Sequence, residues 1–166
     1  MTTHAHARRT PRPQTPCAKP SDIHSRLATG ARTIIVDADQ LFELDDTHFT
    51  TAKQAWTMRI TGVSQVRINL TKKLPPRVTI VASDSSIVQV TGHNNSTINA
   101  CDKAEVNAME NTMVNAYDMA TVHATGNAVV HAADKTKVFL HDNAVATAVR
   151  GVTVLGPSRH NLTVRP

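Results

Sequence analysis

Apolar and polar residues alternate along most of this chain, and the alternation repeats every eight residues. Val106, Val114, Val122 and Val130 lie eight residues apart, and an alanine follows two residues after each of them. The repeating unit has the form A-x-V-x-A-x-D-x, and its named positions are even-numbered residues. Alternation with period two is typical of a β-strand that buries one face, and a helix would not sustain it over so many octads.

The pattern is clearest in residues 78–156 and continues in the same phase from Ile34 upstream to Val164 downstream. No proline interrupts it between Arg77 and Gly156, as an unbroken backbone ladder requires. A short, fixed repeat of this kind predicts an all-β, single-domain parallel β-solenoid (β-helix), in which each octad forms one strand and one corner. The valines would face inward, and Asp, Glu or Gly would turn the corners.

The outward residues indicate how many octads form one coil, because stacked coils place equivalent residues above one another. At a spacing of two octads, one column is apolar (Met113, Val129, Val145) and another is polar (Glu105, Thr121, Lys137). At a spacing of three octads, Met113 would stack on Lys137 and the two types would mix. We therefore predict two octads per coil, with a three-sided coil of three octads as the alternative.

With two octads per coil, one face of the solenoid is more apolar than the other. Its outward residues are the candidate interface residues Met113, Asn115, Tyr117, Val129, His131, Val145, Thr147 and Val149. A lack of charge combined with apolar residues and a tyrosine is typical of an interface core. The segment 33–57, with its three large aromatic residues, could cover this face within the chain. A second copy of the chain or another protein could instead cover it from outside.

The chain divides into three predicted regions. Residues 1–32 hold six basic residues and one acidic residue, which equals the net charge of +5 of the whole chain. This region is rich in proline and poor in apolar residues, so we expect a disordered basic tail. Residues 33–57 are expected to form an N-terminal cap or cover segment, with a short helix within 45–57 whose N-cap is Asp46 or Thr47. Residues 58–166 are expected to form the solenoid.

Composition also bears on location and partners. The sequence has no apolar run that could span a membrane and no apolar core of a secretory signal, so we expect a cytoplasmic protein without membrane contact. The basic tail predicts at most weak contact with nucleic acid. The two cysteines, Cys17 and Cys101, do not form a disulfide framework.

The octads also carry a family resemblance. The pattern A-T-V-x-A-x-[D/G]-x, best seen in ATVHATGNAVVHA from Ala120 to Ala132, resembles the alanine/valine octapeptide repeats of uncharacterised bacterial and phage β-solenoid proteins. The resemblance covers about residues 78–156 and implies the fold without an activity. More distantly, the architecture is similar to that of bactofilins, which are polymerising β-helix scaffolds, but their coils are longer and no motif is shared.

The polar residues do not form a recognisable chemical site. His123 and His131 would point from opposite sheets, so they could not share a metal ion. The acidic column Asp102, Asp118 and Asp134 could in principle bind calcium, but it lacks the glycine-rich pattern and the ligand number that calcium repeats provide. We therefore expect no catalytic residue, no metal and no cofactor.

These observations favour a non-enzymatic scaffold or interaction module that self-associates or docks an unknown protein partner through its apolar face. The alternative is a β-helix enzyme, carbohydrate-active or acyl-transferring, whose site lies at the coil ends or between subunits. Such an enzyme would need an outward cluster of titratable residues in a cleft, and the octads do not predict one.

Overall fold

A computed structural model describes residues 14–50, 54–75, 77–92, 96–156 and 162–165. Two short helices lie near the N-terminus, α1 (Ser21–Ala28) and α2 (Asp46–Thr50). The first strands are β1 (Thr33–Val36), β2 (Phe42–Asp45), β3 (Trp56–Ile60), β4 (Gln65–Leu70), β5 (Val78–Ala82), β6 (Ile87–Gly92) and β7 (Thr97–Ala100). The remaining strands are β8 (Glu105–Glu110), β9 (Met113–Ala116), β10 (Thr121–Ala124), β11 (Val129–Ala132), β12 (Lys137–Leu140), β13 (Val145–Ala148), β14 (Thr153–Leu155) and β15 (Leu162–Val164).

Alternate strands form two parallel sheets, which confirms the β-solenoid. Sheet A contains the odd-numbered strands from β1 to β13 and β15, and sheet B contains the even-numbered strands from β2 to β14. Val114 pairs with Val130 in sheet A, and Val122 pairs with Val138 in sheet B. The coil is therefore two-sided in this region, with two octads per turn, and the three-sided alternative is wrong.

The coils shorten along the chain. Thr33 pairs with Thr57, which lies three octads further on, whereas Ile80 pairs with Ile98, only two octads and two residues later. The extra residues of the early coils lie in the connections that lead from sheet B to sheet A, which include α2 and the loop between β4 and β5. Every insertion is even, so even-numbered residues face inward throughout and the predicted phase is preserved.

The core is a stack of inward columns. In sheet B, one column runs through Leu44, Ile68, Val90, Ala108, Ala124 and Leu140, and all six side chains are at most 2% exposed. Where Ser or Thr replaces the first alanine of an octad, its hydroxyl closes the preceding turn: Thr112 Oγ1 donates to the Met109 carbonyl at 2.7 Å, and Thr136 Oγ1 donates to the Ala133 carbonyl at 2.9 Å. These polar side chains are therefore buried with their hydrogen bonds satisfied.

The acidic residues lie at the corners, as predicted, and their backbone there is left-handed. Asp84, Asp102, Asp118 and Asp134 have φ between 57° and 61°, a region that Asp tolerates better than most residues. Their carboxylates bond to the neighbouring coil: the Asp102 N–H donates to Asp118 Oδ2 at 3.1 Å, and the Asp118 N–H donates to Asp134 Oδ2 at 3.0 Å. The aspartates thus form a ladder that links successive corners.

The prediction of a disordered tail over residues 1–32 is wrong for residues 14–32, and residues 1–13 lie outside the described part of the chain. Cys17 is fully buried and bridges Val36 at the open edge of sheet A, where its N–H donates to the Ile35 carbonyl at 2.7 Å. Helix α1 buries Ile23 and Leu27 in the same core. This segment caps the solenoid because two apolar residues four positions apart give α1 a buried side.

Of the two ways to cover the apolar face, cover by the segment 33–57 is not what its described residues do. Strands β1 and β2 of this segment form the first coil, and Phe42, Phe49 and Trp56 are at most 2% exposed within the core. The expected helix is present as α2, but its N-terminal cap is Asp45, whose Oδ1 accepts the Thr47 N–H at 3.0 Å. The solenoid therefore begins at β1 rather than at residue 58.

Candidate functional site

The predicted interface residues lie together on the outer face of sheet A. Met113, Val129 and Val145 pair across β9, β11 and β13, and so do Asn115, His131 and Thr147. Tyr117 and Val149 follow β9 and β13 directly, and their exposed fractions are 45% and 38%. Val145 is 40% exposed, whereas Met113 and Val129 are half-buried by their neighbours. All eight residues thus form three adjacent columns on one surface, which we call the sheet A face.

The sheet A face extends beyond the residues that the sequence singled out. Thr97 continues the first column and Asn99 continues the central one, since they pair with Met113 and Asn115. The Asn115 amide Nδ2 donates to Asn99 Oδ1 at 3.0 Å. Earlier in the first column stand Thr33, Thr57 and Thr79. The two-octad comparison could have reached Thr97 and Asn99, which lie 16 residues before Met113 and Asn115. It could not reach Thr33, Thr57 and Thr79, because the early strands belong to longer coils.

The two sheets differ in charge. Within the described strands, Arg59 is the one outward residue of sheet A with a permanent charge, whereas sheet B carries Glu43, Asp45, Arg67, Glu105 and Lys137. On sheet B, Arg67 forms an ion pair with Glu43 at 2.9 Å. The outer surface of sheet B therefore resembles an ordinary solvated sheet, and the sheet A face does not.

The histidines on the outer strands of the two sheets do not converge on a metal site. His123 lies on β10 in sheet B and His131 on β11 in sheet A, as predicted. The His123 ring stacks on Phe139 of the next coil, with centroids 4.6 Å apart, and its Nε2 lies 4.0 Å from Glu105. Across the described ranges, no group of three or more His, Cys, Asp or Glu side chains is arranged to hold a metal ion.

A groove of about 700 Å³ follows the aspartate ladder. Its lining consists of Asp84, Ser85, Asp102, Lys103, Asp118, Met119, Asp134 and Lys135. One carboxylate oxygen of Asp102, Asp118 and Asp134 accepts a backbone N–H from the coil before it. The ladder therefore has a structural role in holding the corners in register.

The thiols are poorly suited to nucleophilic chemistry. Burial raises the pKa of the Cys17 thiol, and burial, reinforced by the Asp102 and Asp118 carboxylates, raises the pKa of the Cys101 thiol. A reactive cysteine needs the opposite shift, because the thiolate is the nucleophile. Both thiols are therefore best described as packing residues.

The fold and the sheet A face define the class of this protein: a two-sheeted parallel β-solenoid with one face depleted in charge. No protein-family model, no curated protein and no solved structure matches the chain. The octapeptide-repeat resemblance remains a prediction. No helix in the described part of the chain is long and apolar enough to cross a membrane.

Proposed function

We propose that this protein is a non-enzymatic scaffold that self-associates through its sheet A face. The observation that carries the proposal is the contrast between the two sheets, since one outer surface bears charges in most coils and the other bears Arg59 alone among the described strands. Apolar side chains with a tyrosine and uncharged polar residues have the composition of an interface core. The described residues of the segment 33–57 do not cover this face, because they form the first coil and the start of the next one.

The occupant we infer is a second copy of the same chain. A twofold axis parallel to the solenoid axis, placed over the central column of Asn115, His131 and Thr147, brings the two outer columns of the face together. The column of Met113, Val129 and Val145 would then contact the partner column of Tyr117, Ala133 and Val149. Both columns are apolar, so the face is self-complementary, as an isologous contact requires.

The size of the face limits the strength of this contact. The strands from β5 to β13 span about 19 Å at a spacing of ~4.8 Å, and five residues across a strand cover about 17 Å. The footprint is therefore about 330 Å² per copy, or about 650 Å² in total, below the ~1,200–2,000 Å² of stable interfaces. Arg59 sets the N-terminal limit of the contact area, because the twofold axis would place its charge close to Arg59 of the second copy. We expect a weak, concentration-dependent dimer.

The charge on the tail gives a weaker indication of function. Contact with nucleic acid stays a prediction, but Arg26 is not available for it in the way the sequence suggested. Its guanidinium donates to the carbonyl oxygens of Thr15 and Pro16 and ties the cap segment to α1. Any such contact would therefore depend on the remaining basic residues of the region.

The proposal is tested by placing a charge at the centre of the sheet A face. Val129→Lys should lower the mass measured by light scattering at high protein concentration, while circular dichroism shows an unchanged fold. Thr121→Lys is the matched control, because Thr121 has the same octad position on sheet B and its substitution should leave the mass unchanged. A wild-type chain that is monomeric at every concentration, or a Val129→Lys mass equal to that of the wild type, would refute self-association through this face.

A further inference from the structure

His131 differs from its neighbours in the central column of the sheet A face. Its side chain is exposed, whereas Asn115 and Thr147, which pair with it on the two adjacent strands, are half-buried. The Asn115 amide bonds to Asn99, but the His131 ring forms no ion pair with any described residue. Histidine is the side chain that ordinarily changes its charge between pH 5 and pH 8. The most exposed of these three residues is therefore the one that can carry a proton.

The strands that flank His131 offer no partner for a charged imidazole. The outward neighbours on β9 and β13 are apolar or uncharged: Met113, Asn115, Tyr117, Val145, Thr147 and Val149. Tyr117 is the titratable residue among these six, and tyrosine side chains are neutral in the acid range. On β11 and directly after it, Val129 and Ala133 lie on the same face as His131. A proton on His131 would therefore add an uncompensated positive charge to the face.

Charged residues stand at the two ends of these strands, away from the central column. They are Asp118, Asp134, Lys135 and Arg150 at one corner and Glu110 and Asp142 at the other. The carboxylates of Asp118, Asp134 and Asp142 each accept a backbone N–H from the neighbouring corner. Three extended residues span about 10 Å, which is the screening length at an ionic strength of about 0.1 M. The corner carboxylates therefore offer little stabilisation to a proton on His131.

The geometry of the proposed dimer brings two copies of His131 together. The twofold axis lies over the central column and parallel to the solenoid axis, so each residue of that column faces its own counterpart at the same height. Sheets packed face to face are about 10 Å apart, and two imidazole rings that point at each other across this gap come into contact. Two protonated rings would place like charges side by side where water is largely excluded, which strengthens their repulsion.

Building on the proposed function, we propose that acid dissociates the dimer by protonating His131. Association requires neutral rings, so a proton bound to either ring in the monomer must leave when the dimer forms. By linkage the dimer is favoured at neutral pH and is lost as the pH falls through the range in which histidine gains its proton. Each proton released raises the dissociation constant by up to about tenfold per pH unit. We expect a rise of about tenfold to hundredfold between pH 7.5 and pH 5.5.

Sheet B provides the natural comparison. His123 has the same octad position as His131 but lies on β10, where its Nε2 is 4.0 Å from Glu105 Oε1. A proton on His123 would therefore stand beside a carboxylate, and its ring is stacked on Phe139 within the same molecule. The outer surface of sheet B can accommodate a charged histidine, whereas the sheet A face cannot do so once a second copy covers it.

Mass measurements at two pH values test the inference. At a protein concentration where the wild type is largely dimeric at pH 7.5, light scattering should show its mass falling toward that of the monomer at pH 5.5. His131→Asn should keep the dimer mass at both values, because asparagine already occupies this column at positions 99 and 115 and does not titrate. His123→Asn is the matched control on sheet B and should respond to acid as the wild type does.

A fixed charge tests the same contact without acid. His131→Lys should raise the dissociation constant at pH 7.5 by at least about tenfold, because lysine is protonated there, while circular dichroism shows an unchanged fold. A His131→Lys variant that associates as tightly as the wild type would overturn the inference.

The outcomes separate this inference from the function on which it rests. A wild type that is monomeric at both pH values would refute the proposed function and this inference with it. A wild type that is dimeric to the same extent at both values would overturn the inference and leave the proposed function standing. Acid dissociation of His131→Asn equal to that of the wild type, or loss of the acid response in His123→Asn, would show that His131 is not the switch.

Discussion

The first and second halves of the solenoid build the same architecture from different side chains. In one inward column of sheet A, Trp56 and Val78 of the early coils give way to Ala128 and Ala144 of the later ones. The sheet B column likewise falls from Leu44 and Ile68 to alanines at 108 and 124. Over the same distance the coil shortens from the length of three octads to that of two.

The difference shows that coils packed with large side chains and coils packed with small ones can stack in the same two sheets, with the same positions facing inward. The early coils bury large side chains and accommodate them with long connections and two helices. The later coils bury Val and Ala and rely on identical short corners, each with a left-handed residue such as Asp118 or Gly126. Large residues supply more buried area, whereas small residues depend on regularity. The stability of the two halves should therefore respond differently to the same kind of substitution.

The largest effect is expected from truncating an aromatic residue in the early coils. Phe49 is 1% exposed and stacks on Trp56 with centroids 6.0 Å apart, so Phe49→Ala should lower the free energy of unfolding by roughly 3–5 kcal/mol. Val130→Ala, in the later coils, should cost about 2 kcal/mol, because it removes only two methyl groups and leaves a small cavity. Denaturant unfolding measures both, and equal losses would contradict the distinction between the halves.

Overpacking should destabilise the later coils, where the inward columns hold small residues, and a volume-conserving change in the early coils serves as a reference. Ala124 has no exposed surface between Ala108 and Leu140, so Ala124→Leu should destabilise the protein by roughly 1–3 kcal/mol. Ile68→Leu in the same column of the early coils conserves volume and should cost less than about 1.5 kcal/mol. His123→Leu, the outward neighbour of Ala124, should change stability little. If His123→Leu and Ala124→Leu shift the melting temperature equally, the inward assignment of Ala124 is incorrect.

The corners of the later coils allow a finer test of their regularity. Asp118→Gly keeps the left-handed backbone available but removes the acceptor of the Asp102 N–H, which should cost roughly 0.5–1.5 kcal/mol. Asp118→Ala removes the same acceptor and adds the strain of a Cβ in the left-handed region, for a further ~1 kcal/mol. Thermal unfolding should therefore rank the alanine variant below the glycine variant. Equal stability of the two would mean that backbone strain at φ 57° is unimportant here.

The smallest effect concerns the N-terminal cap of α2, which lies in the early coils. The Thr47 hydroxyl, its N–H and His48 hydrogen-bond to the Asp45 carboxylate and hold the pKa of Asp45 below its usual value. A carboxylate with a lowered pKa stabilises the fold above about pH 4, and this contribution is lost as the pH falls through the lower folded pKa. Asp45 is largely exposed, so the contribution should be below about 1 kcal/mol.

The measurement for Asp45 is a comparison of unfolding free energies at two pH values. Wild type should exceed Asp45→Asn at pH 6, and the difference should shrink at pH 3 because the wild-type carboxyl becomes protonated. Glu43→Gln serves as the control for removing a nearby acidic charge. A difference that stays constant between the two pH values would show that the Asp45 carboxylate does not stabilise the α2 cap.

The sequence predicted the later coils closely, because each residue there is either buried in the core or part of an outward column. Even-numbered residues such as Val114 and Ala132 are buried, and the uniform outward columns indicated two octads per coil. The early coils and the cap segment that precedes them were less predictable. The pair Ile23 and Leu27, four residues apart and preceded by Pro20, was the available signal for α1, but it lies in a region whose basic charge and prolines indicate disorder.

Candidate interface residues were placed on one surface by the same column argument, and the structure puts them there. Their extension to Thr97 and Asn99 follows from the same spacing, since these residues lie two octads before Met113 and Asn115. The extension to Thr33, Thr57 and Thr79 could not be deduced from it, because the early coils are longer.

The two-octad coil has a consequence for how such a chain can change in length during evolution. Gain or loss of two octads adds or removes one full coil, moves the ends by about 4.8 Å and leaves every later side chain on its own sheet. Gain or loss of a single octad instead turns all later strands by half a revolution. Strand β11, with Val129 and His131, would then stack on sheet B, and the sheet A face would be divided between opposite sides of the molecule. Duplications of the gene segment should therefore be inherited in pairs of octads, although the sequence repeats in single ones.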